Sequence, residues 1–278
     1  MAATVYIIRH AEAEGNIYRR CHGLYDSLLT PRAYQQLPCL AKRFESVPLA
    51  AVYASPLFRA RTTAQAVAAP HGLTVELRNA LHEIDMGDWE DLPWAELPHG
   101  WPDQYAKWCA RPWEAAPPHG ETVMQAGARM LNEVRRLAQE NDGKAIAVVT
   151  HGSAIRGALT IAHGFSPEKM NEIGWGDNTC VARLDFDGNG NIDIVYENDA
   201  SHLPQELSTF ASIGWKNTKG IPVSPQIWFR RADPNNPQDV DKIVEFMREL
   251  HRNAYGTDEG LDPAALLRDV ERAQQVSP

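Results

Sequence analysis

No run of apolar residues in this sequence approaches the roughly 18 needed to cross a bilayer. Met1-Ala2-Ala3 leads straight into a β-branched stretch, without the basic segment and apolar core of a secretory signal. The expectation is a soluble, cytoplasmic protein without membrane partners. Cysteine is scarce as well. Cys21, Cys39, Cys109 and Cys180 are widely spaced and form no C-x-x-C pair, which argues against both a disulfide framework and a zinc site. Cationic surplus is also lacking: the formal net charge is −9 and the lysines and arginines form no long run. Nonspecific binding to nucleic acid or acidic lipid is therefore disfavoured, and any anion site must be a local basic pocket. There is neither an internal repeat nor a low-complexity tract.

What is present begins with the first strand. Thr4-Val5-Tyr6-Ile7-Ile8 has the length and composition of a strand buried on both faces, and it delivers Arg9-His10-Ala11-Glu12 into a polar turn. Ala145-Ile146-Ala147-Val148-Val149 repeats the move and ends in Thr150-His151-Gly152-Ser153. In open α/β sheets the ligand crevice lies at the carboxyl ends of such strands, so both histidines are expected to face one crevice.

Between them, Thr30-Pro31 is expected to open a helix with Thr30 as N-cap, running to Phe44 and kinked or divided at Pro38. Ala50 to Ala54 reads as a strand, Ser55-Pro56 as the cap of a helix through Ala68, and Leu73 to Leu77 as a strand. Glu121 to Gln139 has a helical apolar face. Val181 to Phe186 and Ile192 to Tyr196 read as a hairpin around Asp187-Gly188-Asn189-Gly190-Asn191. The run from Asp185 to Asp193 imitates the start of an EF-hand loop. Its twelfth position, however, is Tyr196, where a bidentate Glu is required, so the hairpin is preferred.

These elements give an α/β fold, a three-layer sandwich with a mostly parallel central sheet flanked by helices, over residues 1–220. Residues 221–278 form an expected C-terminal extension, a strand at 226–230 and helices at 238–255 and 263–274, read as a docking or homodimerisation element. Ile227 to Pro234 and the helix after it faintly resemble the opening of a GNAT acyltransferase. Residues 89–118 stand apart, with five of the eight tryptophans and six prolines. This stretch is expected to be an ordered cap of short helices, its tryptophans either pinning it to the core or lining a pocket.

The chemistry-bearing residues complete an inventory. Arg59 falls in the first turn of a helix, where backbone N–H groups and the helix dipole favour an anion. Glu83 follows the third strand. With Arg9, His10, Asn16 and His151 they make two guanidiniums, two imidazoles, a carboxamide and a carboxylate. That set suits phosphoryl transfer: arginines clamp non-bridging oxygens, a second imidazole adds a donor, the first attacks phosphorus, and a carboxyl group moves the proton. No metal or cofactor is called for.

Six stretches carry a specific resemblance. They are Arg9-His10-Ala11-Glu12-Ala13-Glu14-Gly15-Asn16, Gly23-x-x-Asp26-x-x-Leu29-Thr30, Ser55-Pro56-Leu57-Phe58-Arg59-Ala60-x-x-Thr63-Ala64, Glu83-x-x-x-Gly87-x-Trp89-Glu90, Gly120-Glu121-Thr122 and Val149-Thr150-His151-Gly152. In this order, over about residues 4 to 196, they resemble the histidine phosphatase superfamily, phosphoglycerate mutase-like branch. The resemblance implies His10 as the phosphorylated nucleophile, Arg9, Arg59 and His151 as the phosphate pocket, and Glu83 as proton donor. It also implies substrate contacts from Asn16, His22, Gly23 and Gly152.

Ala11 and Ala33 stand where that family usually has glycine, and a methyl at residue 11 is expected to crowd the pocket backbone. Because residues 89–118 hold only Lys107 and Arg111 as cations, the expected activity is hydrolysis: a metal-independent phosphomonoesterase of the histidine acid phosphatase type, acting on a small-molecule phosphate ester. Mutase-type transfer and a catalytically weak phospholigand-binding module are the alternatives.

Overall fold

The computed structural model describes residues 2–213, 236–242, 244, 245 and 248. By its contacts the chain divides into Met1–Ile227 and Trp228–Pro278. In the second unit residues 237–242 are helical, and Asn236 caps them by accepting the Gln238 N–H at 3.1 Å. The strand expected at 226–230, the helix at 263–274 and the docking role of the extension lie outside the described residues.

In the first unit six strands form one sheet: β1 (Ala3–Arg9), β2 (Leu49–Ala54), β3 (Val75–Leu77), β4 (Ala145–Thr150), β5 (Val181–Phe186) and β6 (Ile192–Asp199), ordered β3-β2-β4-β1-β5-β6. The first four run parallel, while β5 and β6 are the antiparallel hairpin. The acidic loop between them is a turn, in which the Asp187 carboxylate accepts the N–H groups of Asn189 and Asn191.

Helices cover both faces. α1 (Glu14–Tyr18) is a single turn; α2 (Ala33–Phe44) and α3 (Phe58–Ala68) place Leu40, Phe44, Ala60, Ala64 and Val67 against Ile8, Val52 and Val149. On the other face α6 (Val123–Glu140) and α7 (Gly152–Ala162) bury Met130, Val134, Leu137, Ile155 and Leu159 against Val5, Ile7, Ile146 and Val148. The α/β sandwich is therefore as the sequence suggests, with an apolar core on each side of the sheet. Where α6 meets α7, a Cβ on Gly127 would lie 2.2 Å from the Gly157 carbonyl carbon, so only glycine allows this approach.

Two helix starts differ from expectation. α2 begins at Ala33 with residues 31–32 in a turn, and the Thr30 hydroxyl both accepts the Ala33 N–H at 3.3 Å and donates to Glu12 Oε1 at 2.6 Å. Pro38 does not divide this helix. It sits on the exposed side, where water can serve the carbonyl that the missing N–H leaves unpaired. α3 begins at Phe58, and its cap comes from a distant loop: Asp26 Oδ1 accepts the Phe58 N–H at 2.6 Å.

The tryptophan-rich stretch is an ordered cap containing α4 (Leu97–Gly100) and α5 (Pro102–Ala110). Trp89 is its buried centre, packed edge-on against Trp108 and Tyr105 and tilted against Trp101. No helix among the described residues is long and apolar enough to cross a membrane.

Candidate active site

The site arises from the pairing of β1 with β4. Arg9 lies opposite Thr150 in parallel register, so the next residue of each strand, His10 and His151, emerges at the same level, with ring centroids 5.1 Å apart. The chain leaves β1 towards the α2/α3 face and leaves β4 towards the α6/α7 face. The divergence opens a crevice between the two strand ends, the switch point of an open α/β sheet.

His10 is buried and fixed by its neighbour. Its Nδ1 lies 2.7 Å from the Ala11 carbonyl, which can only accept, so Nδ1 carries the proton and Nε2 keeps a lone pair. Burial, then the Arg59 and Arg9 guanidiniums, hold its pKa well below the ordinary imidazole value. The His10 carbonyl is itself anchored by Asn178 Nδ2 at 2.9 Å.

Ala11 does not crowd the pocket. Its methyl packs with Leu29, Ala33 and Leu37, so the two residues that depart from the family pattern share one small apolar cluster behind the site. The Ala11 N–H bonds to Thr63 Oγ1 on α3 at 2.9 Å.

Arg59 is 1% exposed, and carbonyls rather than a carboxylate hold it: Tyr25 O at 2.8 Å and Gly23 O at 2.7 Å. Burial lowers its pKa to about 10, and it stays cationic at neutral pH. The loop supplying those carbonyls is pinned by Glu90, whose carboxylate accepts the N–H groups of Gly23, Leu24, Tyr25 and Met86. Gly23 thus orients Arg59 and does not line the cavity; a Cβ there would meet the Ile84 carbonyl at 2.2 Å. The first turn of α3 offers no N–H to a substrate at Phe58 either, since Asp26 takes it.

Arg9 donates from Nη1 to Gly176 O at 2.6 Å and leaves Nε buried without a partner among the described residues. A side chain at Gly152 would press on it, with a Cβ only 3.3 Å from Nε. His151 is fully buried with neither ring nitrogen bonded among the described residues, and burial followed by Arg59 and His10 keeps its pKa well below the ordinary value. Glu83 faces the same cavity. Its Oε1 accepts the N–H groups of Ile84 at 2.9 Å and Ala154 at 3.0 Å, and its Oε2 that of Ser153 at 3.1 Å, which ties the carboxylate to the first turn of α7.

The cavity has a volume of about 300 Å³ and is lined by Arg9, His10, Asn16, His22, Arg59, Glu83 and Gly152 on its polar side. Its outer wall is aromatic, built from Trp94, Tyr105 and Trp108 of the cap with Trp175 and Phe210. The tryptophans therefore divide: Trp89 belongs to the core, while Trp94 and Trp108 form pocket wall. His22 donates through Nε2 to Asp91 Oδ1 at 2.9 Å and packs at a tilt against the Tyr25 ring. Sequence reasoning missed Arg19, Arg20, Trp175, Asn178 and Phe210. Of these, Arg20 is committed to Asp91 at 2.7 Å. The turn-forming Gly174-Trp175-Gly176-Asp177-Asn178 run was the available signal for two of them.

The depressed imidazoles of His10 and His151, with His22 and His202 shifted in the same direction, have a consequence for stability. Their folded values lie below the ordinary 6.5, so below that pH the unfolded chain binds more protons. Stability is then full above pH 6.5 and falls as pH drops beneath it, by up to about 1.4 kcal/mol per unit for each buried neutral histidine. Thermal melts from pH 7 to 4.5 should show this decline, with a shallower slope in His151→Asn and in wild type saturated with inorganic phosphate. Parallel slopes in all three samples would show that His151 stays out of the titration.

Comparison with known proteins agrees with this geometry. The family model of the histidine phosphatase superfamily (branch 1) matches residues 5–199. Phosphoserine phosphatase 1 of Hydrogenobacter thermophilus is 26% identical over 197 residues, covering 71% of this chain and 92% of that protein. Phosphoglycerate mutase-like protein 4 of Arabidopsis thaliana is 30% identical over 221 residues, covering 78% and 94%. Among solved structures, Bacillus stearothermophilus YhfR superposes with a TM-score of 0.69 at 30% identity, covering 72% of this chain and 98% of that one. With the paired histidines, the guanidinium clamp and this match across the whole sheet, the chain belongs to branch 1 of the histidine phosphatase superfamily.

Proposed function

We propose that this protein is a metal-independent phosphomonoesterase acting on small-molecule phosphate esters through a phosphohistidine at His10. The observation that carries the reading is the unbonded Nε2 of a neutral, buried His10 beside orphaned donors of Arg9 and His151. An incoming phosphate dianion supplies the missing partner for both, and Arg59 adds a second guanidinium. Attack by Nε2 forms the N–P bond and breaks the ester P–O bond, and Glu83 as the acid gives its proton to the departing alkoxide. Water then attacks the phosphohistidine, Glu83 takes one of its protons, and inorganic phosphate leaves with His10 restored. Charge on the equatorial oxygens is met by guanidinium and imidazole groups, so the chemistry asks no ion for help.

The aromatic outer wall favours esters with a ring or other apolar portion. A mutase reading has one observation in its favour, the guanidiniums of Arg19 and Arg20 on the cavity wall, where a second phosphate would need cations. The Arg20–Asp91 pair neutralises one of them, which supports hydrolysis. The four thiols are unpaired, Cys21 and Cys180 deep in the fold, which supports a reducing, cytoplasmic setting.

The test is turnover of p-nitrophenyl phosphate after exhaustive EDTA treatment. The expected result is an undiminished rate. Loss on chelation with recovery on adding a divalent ion would overturn metal independence, while isomerisation of a phosphoglycerate faster than its hydrolysis would favour the mutase.

A further inference from the structure

Asn178 lines the cavity, is wholly buried, and presents an acceptor that nothing among the described residues satisfies. Its orientation is fixed. Nδ2 donates to the His10 carbonyl at 2.9 Å and to Asn16 Oδ1 at 3.2 Å, both acceptors, so the amide cannot be reversed without setting oxygen against oxygen. Asn16 Oδ1 is in turn held by the Ala13 N–H at 2.9 Å.

The remaining atom, Asn178 Oδ1, differs in kind from the orphaned nitrogens of Arg9 and His151. Arg9 Nε donates, and His151 can donate once an anion is bound, so both suit a phosphoryl group. His22 Nδ1 is an acceptor like Asn178 Oδ1, since Nε2 donates to Asp91 and burial lowers the pKa of the ring. A carboxamide oxygen can only accept, and a phosphate dianion offers it nothing but lone pairs. Left unpaired on substrate binding, it costs the desolvation penalty of a buried polar group.

Resting on the phosphatase reading, we infer that Asn178 is a specificity residue that selects phosphate esters carrying a hydroxyl group close to the ester linkage, whose O–H donates to Asn178 Oδ1. The guanidiniums of Arg9 and Arg59 on the cavity wall make a neutral hydroxyl a better donor here than an ammonium group. The turn that carries Asn178 is built for the task. Asp177 caps the following Asn178 N–H at 2.8 Å, and Thr179 holds a left-handed φ of 62° that a β-branched residue rarely adopts. That conformation is supported by Thr179 N donating to the His10 carbonyl at 3.3 Å and by His202 Nε2 at 3.1 Å from its hydroxyl.

The experiment compares kcat/KM for 2-hydroxypropyl phosphate and propyl phosphate, which differ by one hydroxyl, with phenyl phosphate as a measure of basal turnover. Wild type should prefer the hydroxylated ester by about 10-fold or more. Asn178→Leu should lose rate on all three esters, because the His10 carbonyl loses its donor, and its preference should collapse to near unity. Asn178→Asp keeps an acceptor without the donor, so it should be slow yet retain the preference.

A wild-type ratio near unity with good phenyl phosphate turnover would overturn the inference and leave the phosphatase reading intact. So would the same preference in the leucine variant, or a leucine variant slowed equally on both alkyl esters with its ratio unchanged. Turnover of none of the three esters by wild type would overturn the phosphatase reading and this inference with it.

Discussion

Replacing His10 with alanine is expected to reduce phosphatase turnover by roughly 10⁴-fold or more, the scale seen when a nucleophile is removed from a cooperating set. The size follows from the position of Nε2. It is the lone pair left facing the cavity once Nδ1 is bound to the Ala11 carbonyl, and the remaining groups are donors or a proton carrier. Without it, water must attack the ester directly in a site built to clamp phosphate. The protein should still bind inorganic phosphate, since Arg9, Arg59 and His151 remain. It should also resist acid better than wild type, because one buried neutral imidazole is gone. Steady-state kinetics with a phosphate-induced thermal shift on the same sample separates the two effects. Turnover within tenfold of wild type would remove His10 from the mechanism.

The second large effect is at Glu83. Glu83→Gln should cost about 10²–10⁴-fold in kcat, the usual worth of a positioned general acid–base group. The loss should depend on the leaving group. An alkyl ester departs as a strongly basic alkoxide and needs the proton, whereas p-nitrophenolate leaves readily without it, so the variant should be impaired much more on propyl phosphate than on p-nitrophenyl phosphate. Geometry adds a contribution of its own. Both carboxylate oxygens accept backbone N–H groups from Ile84, Ser153 and Ala154, and a carboxamide must turn its NH₂ towards one of them. A modest shift of the α7 start should therefore accompany the substitution, readable as a small fall in melting temperature. The dependence is read in kcat/KM, which covers only the steps through departure of the alcohol, and equal impairment of kcat/KM on both esters would show that Glu83 gives no proton to the leaving group.

How much of this was legible in the sequence depended on whether the cause was local. Two apolar strands ending in Arg9-His10 and Thr150-His151 announce themselves, because β-branched runs and polar ends are local properties and the parallel register between them follows. The sandwich and the aromatic cap were readable for the same reason. What stayed hidden depends on distant partners. Asp26 caps α3 across 32 positions of sequence, Glu90 pins the loop that cradles Arg59, and the Thr30 hydroxyl that accepts the Ala33 N–H also donates to Glu12. Gly23, expected to touch substrate, proves to be the tight spot through which the Arg59 carbonyl ligands are set. Asn178 and Phe210 enter the cavity from beyond the last motif, and no residue spacing ties them to His10. The Ala11 and Ala33 departures look damaging one at a time and harmless together, since only the folded chain shows that they pack in the same cluster.

The central claim, transfer of the phosphoryl group through His10, is tested most directly by trapping the intermediate. Enzyme mixed with excess substrate and quenched within milliseconds into alkali, where phosphohistidine survives, should carry one phosphoryl group, mapped by peptide mass to the segment containing His10 and lost on brief acid treatment. Glu83→Gln should accumulate more of it with p-nitrophenyl phosphate, because activation of the attacking water is slowed while the good leaving group still departs. Efficient turnover with no phosphoryl group on the protein, or with one that maps elsewhere and survives acid, would contradict the account.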